Sequence, residues 1–183
     1  SGLVRAIAPL IEQTGRLLWN HGGSADDLAR PGVVSVLAPA STYLRGMVRV
    51  AADRGLDRLV VVQGPGPFAR AVCDGAVAEA GQRGLRADRV DAGSIELADT
   101  ADAGVLVAGS FDHDVQAVRH LRTGNRQPAL VGAVAAGIQA FAQELGVDAE
   151  GVLGPVQWWP DHSQPQIGPT GREFAASYRA STG

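Results

Sequence analysis

Apolar positions recur along this chain at two spacings, and the switching between them marks out the elements. Leu3, Ile7, Leu10 and Ile11 are three or four residues apart, as on one face of a helix, and Gly15 is placed to end it. Arg16-Leu17-Leu18-Trp19 predicts a strand that leads into a tight loop, Asn20-His21-Gly22-Gly23-Ser24. Ser24-Ala25-Asp26-Asp27 has the composition to cap a short helical turn. Val33 to Leu37 is a β-branched strand closed by Pro39. Thr42 to Arg54 is amphipathic, with Leu44, Met47, Val48 and Ala51 on one face and arginines on the other.

The clearest unit follows. Leu59-Val60-Val61-Val62 is a continuous apolar run, the pattern of a strand buried on both faces of a parallel sheet. Gly64-Pro65-Gly66-Pro67 is a loop, and Phe68 to Ala80 a helix ended by Gly81 or Gly84. Arg86 to Val90 predicts a strand, Ile95 to Ala101 a short helix, and Val105 to Gly109 a second buried strand. A helix from Asp112 to Arg122 turns Val115, Val118 and Leu121 inward and stops at Gly124. Ala129 to Gly132 is a third short strand, Ala135 to Leu145 a helix stopped by Gly146, and Val152 to Trp158 an extended segment. Pro165 to Pro169 is loop, and Glu173 to Arg179 a final short helix. Strand and helix alternate throughout, which predicts an α/β fold with a doubly wound, mostly parallel sheet.

Composition narrows the function classes. A formal charge of −3 with basic residues dispersed along the helices gives no electrostatic footprint for nucleic acid or an anionic membrane. Cys73 is the single cysteine, which excludes an intramolecular disulfide and a cysteine-based zinc cluster. Its Ala/Val-rich surroundings mark it as a small buried hydrophobe. No run approaches the roughly 20 apolar residues of a membrane-spanning helix. The opening Ser1-Gly2 passes straight into a helical pattern with no charged-then-apolar leader, as expected of a piece cut from a longer chain.

Few motifs carry chemistry. Gly64-Pro-Gly66-Pro-Phe-Ala69 matches the spacing of a dinucleotide-binding turn, with Asp91 at the end of the next strand. Yet Pro65 and Pro67 have no N–H to offer a pyrophosphate, so a strand-to-helix turn with Pro67 opening the helix is the favoured reading. His21, His113, His120 and His162 show no metal-ligand spacing, although His113 and His120 share a helix face. Asp112 and Asp114 flank a helix start, where dipole complementarity accounts for them. Ser110 follows a strand without the second glycine of a nucleophile elbow, which leaves it a turn residue or a ligand contact. Trp158-Trp159-Pro160 either lines a cleft or covers the edge of the core. No catalytic residue, metal or cofactor is expected.

The order of these pieces resembles the type I periplasmic solute-binding proteins of the leucine/isoleucine/valine receptor family of ABC transporters. The resemblance rests on Val34-Ser-Val-Leu-Ala-Pro-Ala-Ser41, Arg58-Leu-Val-Val-Val-Gln63 with Phe68-Ala-Arg70, and Ala103-Gly-Val-Leu-Val-Ala-Gly109. It continues through Val118-Arg-His-Leu-Arg-Thr-Gly124, Pro128-Ala-Leu-Val-Gly132, Ala149-Glu-Gly-Val152, Trp159-Pro160, and Phe174 with Tyr178. It implies two Rossmann-like lobes: residues 1–36 end the first, 37–153 form the second, and 154–183 return toward the first. The start of the first lobe would then lie outside this chain.

The same resemblance implies an extracytoplasmic protein that binds a small organic solute for an ABC transporter permease and closes by hinge motion without chemistry. A ligand-sensing receptor domain of the same fold and a nucleotide-dependent α/β enzyme using Gly64–Ala69 are the alternatives. Carried over residue by residue, the ligand contacts are Ser24 and Gly23 from the first lobe, and Phe68, Ser110, Phe111 and Val134 from the second. Val134 stands where the family often has an acid for the ligand's ammonium. A missing counter-charge there forfeits a charge-assisted bond worth roughly 1.5–3 kcal/mol, so the expected ligands extend to amides and aromatic acids. The strand ends at Gln63, Gly109 and Gly132 are expected to lie along one wall of the pocket.

Overall fold

A computed structural model describes residues 2–124, 127–162 and 164–182. Its main body is a five-stranded sheet of strands β3 (Arg58–Gln63), β4 (Arg86–Asp91), β5 (Gly104–Ala108), β6 (Leu130–Ala133) and β7 (Val152–Leu153). Their order is β4-β3-β5-β6-β7, and every neighbouring pair is parallel. A separate pair, β1 (Leu18–Asn20) and β2 (Val33–Ser35), is also parallel. The predicted α/β class with a doubly wound, parallel sheet is what the chain forms.

The two-residue period of β3 sorts its side chains between two cores. Leu59 and Val61 pack with Met47, Val48 and Ala51 of α2 (Arg45–Asp53) and with Val72, Cys73 and Ala76 of α3 (Pro67–Gln82). Val60 and Val62 pack on the opposite face with Val115, Val118 and Leu121 of α4 (Phe111–Thr123) and with Phe141 and Leu145 of α5 (Gln139–Leu145). Each fully buried aliphatic side chain of this kind contributes about 1.5–3 kcal/mol. Alternate residues of one apolar run thus serve both faces, as the run predicts.

The chain runs from β3 outward to β4 and then crosses back to β5, so the winding direction reverses between β3 and β5. Strand register places Gln63 opposite Ala108, and Val107 opposite Ala133, so all three strands end at one edge. Ligands of open α/β sheets bind outside the carboxyl ends of the strands at such a reversal. At that point the backbones nearly touch: Gly64 N–H donates to the Ala108 carbonyl at 2.7 Å, and a Cβ on Gly64 would lie 2.7 Å from Gly109 Cα.

Several elements depart from the sequence reading. The helix expected over 135–145 is a 3₁₀ turn, Val134–Gly137, followed by α5 after an extended Ile138. Gly137 is pressed against the Pro155 carbonyl, where any side chain would collide. The extended segment expected over 152–158 pairs only at Val152 and Leu153, and Pro155 has no N–H with which to continue a ladder. Ala92–Leu97 forms a 3₁₀ turn where a helix was expected over 95–101. The amphipathic stretch from Thr42 begins with a 3₁₀ turn, Ala40–Thr42, and becomes α2 only at Arg45. The short turn Asp26–Leu28 has Ala25 at its N-cap with no side-chain cap bond, so Ser24 does not cap it.

α1 (Gly2–Thr14) and α6 (Gly171–Thr182) form as helices, but their apolar faces are largely uncovered. Leu3, Leu10, Phe174 and Tyr178 are exposed, as are Leu17 and Trp19 beside and within β1.

Candidate functional site

Two cavities open near the carboxyl ends of the strands. The first, about 380 Å³, is lined by residues from the loop after β1 (Ser24 to Asp27), from the 3₁₀ turn at Ala40 and Ser41, and from the start of α3 (Pro67, Phe68). The second, about 520 Å³, lies beyond the ends of β5 and β6 and is walled by Tyr43, Phe111, Val134, Ile138, Val156 and Trp158. Tyr43 belongs to the second and Phe68 to the first, and their rings meet edge to face with centroids 5.5 Å apart. That aromatic pair forms a partition between the two cavities.

Local sequence positions each piece. Asn20, buried at the end of β1, accepts from Gly23 N–H at 2.9 Å and donates to the Gly23 carbonyl at 2.7 Å and to Ser35 Oγ at 2.9 Å. The buried backbone of Gly23 is satisfied in this way, and Ser24 is left beside the first cavity. Gly66, at a φ of 95°, turns the chain into α3, which Pro67 opens. Proline suits the first turn because its missing N–H has no helical partner there. The same loop gives little to a nucleotide: besides its two prolines, the Gly64 N–H is already committed to Ala108.

The first cavity is polar at one end. Arg5 makes a bidentate pair with Asp27 at 2.7 and 2.8 Å, and this contact holds the Asp27 carboxyl below its ordinary range. Asp26 accepts from Ser41 N–H at 3.1 Å, and Asp74 pairs with Arg89 at 2.6 Å. These charges serve one another and the backbone.

The second cavity is largely apolar, and the one charged residue in its lining among the described residues is Asp114 on the first turn of α4. Asp114 is fully buried. Its Oδ2 accepts from Ala135 N–H at 2.8 Å, while buried Oδ1 has no hydrogen bond of good geometry among the described residues. Burial pushes the carboxyl up to about 6, against the opposing pull of backbone N–H groups at Ala135, Gly109 and Val134. Asp114 stands in the first turn of α4, as the expected capping and dipole role for Asp112 and Asp114 requires, but it is also buried and bonded to Ala135, which that role does not account for. Its signal in the sequence was faint, because an acid in a helix's first turn is ordinarily a surface residue.

Four of the six expected contact residues border these cavities: Ser24 and Phe68 the first, Phe111 and Val134 the second. Gly23 borders neither, although with Ser24 it lines a smaller cavity of about 260 Å³ under the β1–β2 pair. Ser110 is exposed and caps α4, accepting from His113 N–H at 3.4 Å, with its Oγ 2.6 Å from His113 Nδ1. Gly132 is buried against Met47, where a Cβ would lie 2.5 Å from Sδ, so the wall is carried by Val134. Of the tryptophan pair, Trp158 lines the second cavity and stacks edge to face on Phe174, with centroids 6.0 Å apart. His113 and His120 line a cavity of about 320 Å³ with Glu96. No group of three or more His, Cys, Asp or Glu among the described residues is arranged to hold a metal ion.

The fold is that of an α/β protein with a cleft at its strand ends, and comparison with known proteins places it further. The family model of periplasmic binding proteins matches residues 1–183, and the chain belongs to that family. Among solved structures it is similar to a leucine-binding protein from Thermotoga maritima, with a TM-score of 0.75 and 16% identity over 98% of this chain and 54% of that one. It is also similar to a solute-binding protein of an ABC transporter from R. palustris in complex with benzoate (TM-score 0.68, 12% identity, 100% of this chain and 53% of that one). A third is a fatty acid ABC transporter substrate-binding protein from Thermomonospora curvata (TM-score 0.67, 17% identity, 100% and 50%). At these identities the likeness is one of fold. The chain spans about half the length of these structures. No curated protein sequence matches it at a significant level. Among the described residues, no helix is long and apolar enough to cross a membrane.

Proposed function

We propose that this chain forms the ligand-gripping part of an extracytoplasmic protein that captures a small organic solute and passes it to an ABC transporter permease. No bond is made or broken; hinge closure around the solute is the working step. The observation that carries this reading is the mostly apolar cavity at the carboxyl ends of β5 and β6, bordered by aromatic side chains and holding a buried carboxylate. Cavities that bind organic solutes have this composition and size. Membership of the periplasmic binding protein family supports it, and the similar structures include a leucine-binding protein, a solute-binding protein in complex with benzoate and a fatty acid transporter's binding protein.

In this reading residues 1–36 close the first lobe, 37–153 make the second, and 154–183 return toward the first. The separation of β1–β2 from the five-stranded sheet, which ends at Leu153, supports that division. Gln157 Oε1 accepts from Ala38 N–H at 2.9 Å, which ties the return segment to the start of the second lobe. On closure Ser24 from the first lobe and Phe68, Phe111 and Val134 from the second engage one solute that spans both cavities across the Tyr43–Phe68 pair. Ser110 and Gly23 act by shaping the backbone beside those residues. Closure is favoured to the extent that solute contacts form only when both sides engage.

A thermal-shift screen of the complete protein against amino acids, amides and aromatic acids tests the reading. A saturable melting shift is expected with one class, and Ser24→Trp is expected to remove it. An intact Ser24→Trp protein that keeps the full shift with the same solute would show that the grip lies elsewhere.

A further inference from the structure

We infer that the Tyr43–Phe68 ring pair makes the site selective for an elongated, neutral amphiphile. Its apolar body fills the second cavity, its hydrogen-bonding end the first, and a slender, unbranched link crosses the rings. The inference deepens the proposed function and rests on it.

Three features converge on that shape. First, the two cavities differ in chemistry, and each has room for one compact group. The second presents Phe111, Val134, Ile138, Val156 and Trp158, a surface for an apolar body. The first presents the hydroxyls of Ser24 and Ser41 beside Asp26, a surface for an end that donates and accepts hydrogen bonds. Arg5 lines it too but is engaged by Asp27 at 2.7 and 2.8 Å, so a neutral end suits this cavity better than a carboxylate.

Second, the Tyr43 side of the boundary is anchored. The turn before it, Ala40–Thr42, is held by Ala40 N–H donating to the Ser24 carbonyl at 2.6 Å and Ser41 N–H donating to Asp26 at 3.1 Å. Arg45 Nε donates to the Ser41 carbonyl at 3.0 Å, and Gly75 of α3 is pressed against that same carbonyl, where any side chain would collide. Tyr43 itself packs against the first core. A ring in close-packed surroundings yields little to a wider solute. Third, Phe68 meets Tyr43 from the opposite side, on the first turn of α3 directly after Gly66 and Pro67. The rings stand edge to face with centroids 5.5 Å apart, an arrangement that draws them together. A solute that occupies both cavities crosses this pair, and a branch at the crossing overpacks it.

Three neutral probes read out the shape, titrated into the complete protein by calorimetry: 4-phenylbutanamide, its compact isomer 2-phenylbutanamide, and 3,3-dimethyl-4-phenylbutanamide, which carries a branch at the crossing. The two isomers contain the same groups, so a difference between them reports shape rather than apolar content. The straight isomer is expected to bind about tenfold or more tighter than either of the others. Phe68 is 37% exposed, so Phe68→Ala spares both cores; it is expected to bring the three probes within about threefold of one another. Tyr43→Phe, which keeps the ring, is expected to retain the preference. If a variant does not fold, the isomer ranking in the unaltered protein still decides the matter. Isomers of equal affinity, or a preference that survives Phe68→Ala, overturn the inference. Binding of none of the three also overturns it. The wider solute screen judges the proposed function separately, since a compact solute that gives a saturable melting shift would leave capture in place.

Discussion

The Asp114 carboxylate at the start of α4 accepts a hydrogen bond from the Ala135 N–H, just past the end of β6, at 2.8 Å. This contact ties the helix after one central strand to the turn after the next, and that turn carries Val134, Ala135, Gly137 and Ile138 into the second cavity. A buried acid is thus both a brace for the cavity wall and an electrostatic cost to the folded state.

The pH dependence of stability should expose that cost. The folded carboxyl lies near 6, above its ordinary 3.8, so the folded state binds the proton more tightly than the unfolded one. Stability from this group is therefore greatest below about pH 4 and declines as pH rises through 6. Urea unfolding of Asp114→Asn against the unaltered chain should show the difference moving by about 3 kcal/mol in the variant's favour from pH 4 to pH 7. A difference independent of pH would mean that the acid is not ionised at cost.

Glu79 should behave in the opposite sense. Arg49 and Arg83 each donate to its Oε1 at 2.9 Å, and these bonds hold the carboxyl down at about 2. The pairing joins α2 to α3 across the first core. Its contribution is present above the ordinary value of 4.5 and lost as pH falls toward 2. Glu79→Gln is expected to lower the melting temperature at pH 7, with the gap closing in acid. Scanning calorimetry across that range is the measurement.

Two glycine substitutions separate steric need from helix propensity. Gly64→Ala would drive a Cβ to 2.7 Å from Gly109 Cα, backbone against backbone, and should cost about 1–3 kcal/mol. Gly81→Ala, inside α3 with open space around it, should instead stabilise by about 0.5–1 kcal/mol. Guanidinium denaturation of the two variants should move in opposite directions.

The partition between the cavities can be measured as a coupling. Tyr43 and Phe68 meet edge to face at an interplanar angle of 85°. A double-mutant cycle with Tyr43→Leu and Phe68→Leu should return about 0.5–1.5 kcal/mol of interaction. Additive single effects would show that the rings merely lie side by side.

The fold was largely legible in the chain because its signals are local. The apolar runs at Leu59–Val62 and Val105–Ala108 needed no partner to be recognised as strands buried on both faces, and Pro67 and Gly84 mark helix ends through their own backbone limits. The interrupted helix at 134–145 was not legible, because its break depends on Pro155, which is distant in sequence and presses on Gly137.

The site divides along the same line. Ser24, Phe68, Phe111 and Val134 were picked out through the family resemblance, while the alternation of strand and helix by itself puts loops after strands at one edge of a parallel sheet. That much the sequence determined by itself. Asp114 took its role only from tertiary structure. Its burial, its bond to Ala135 and its unserved oxygen all arise because α4 folds back over β6, and desolvation is a property of everything packed around a group. Local pattern locates the edge where a ligand can bind, whereas the charge held in the wall beside it is decided by residues that only the folded chain brings together.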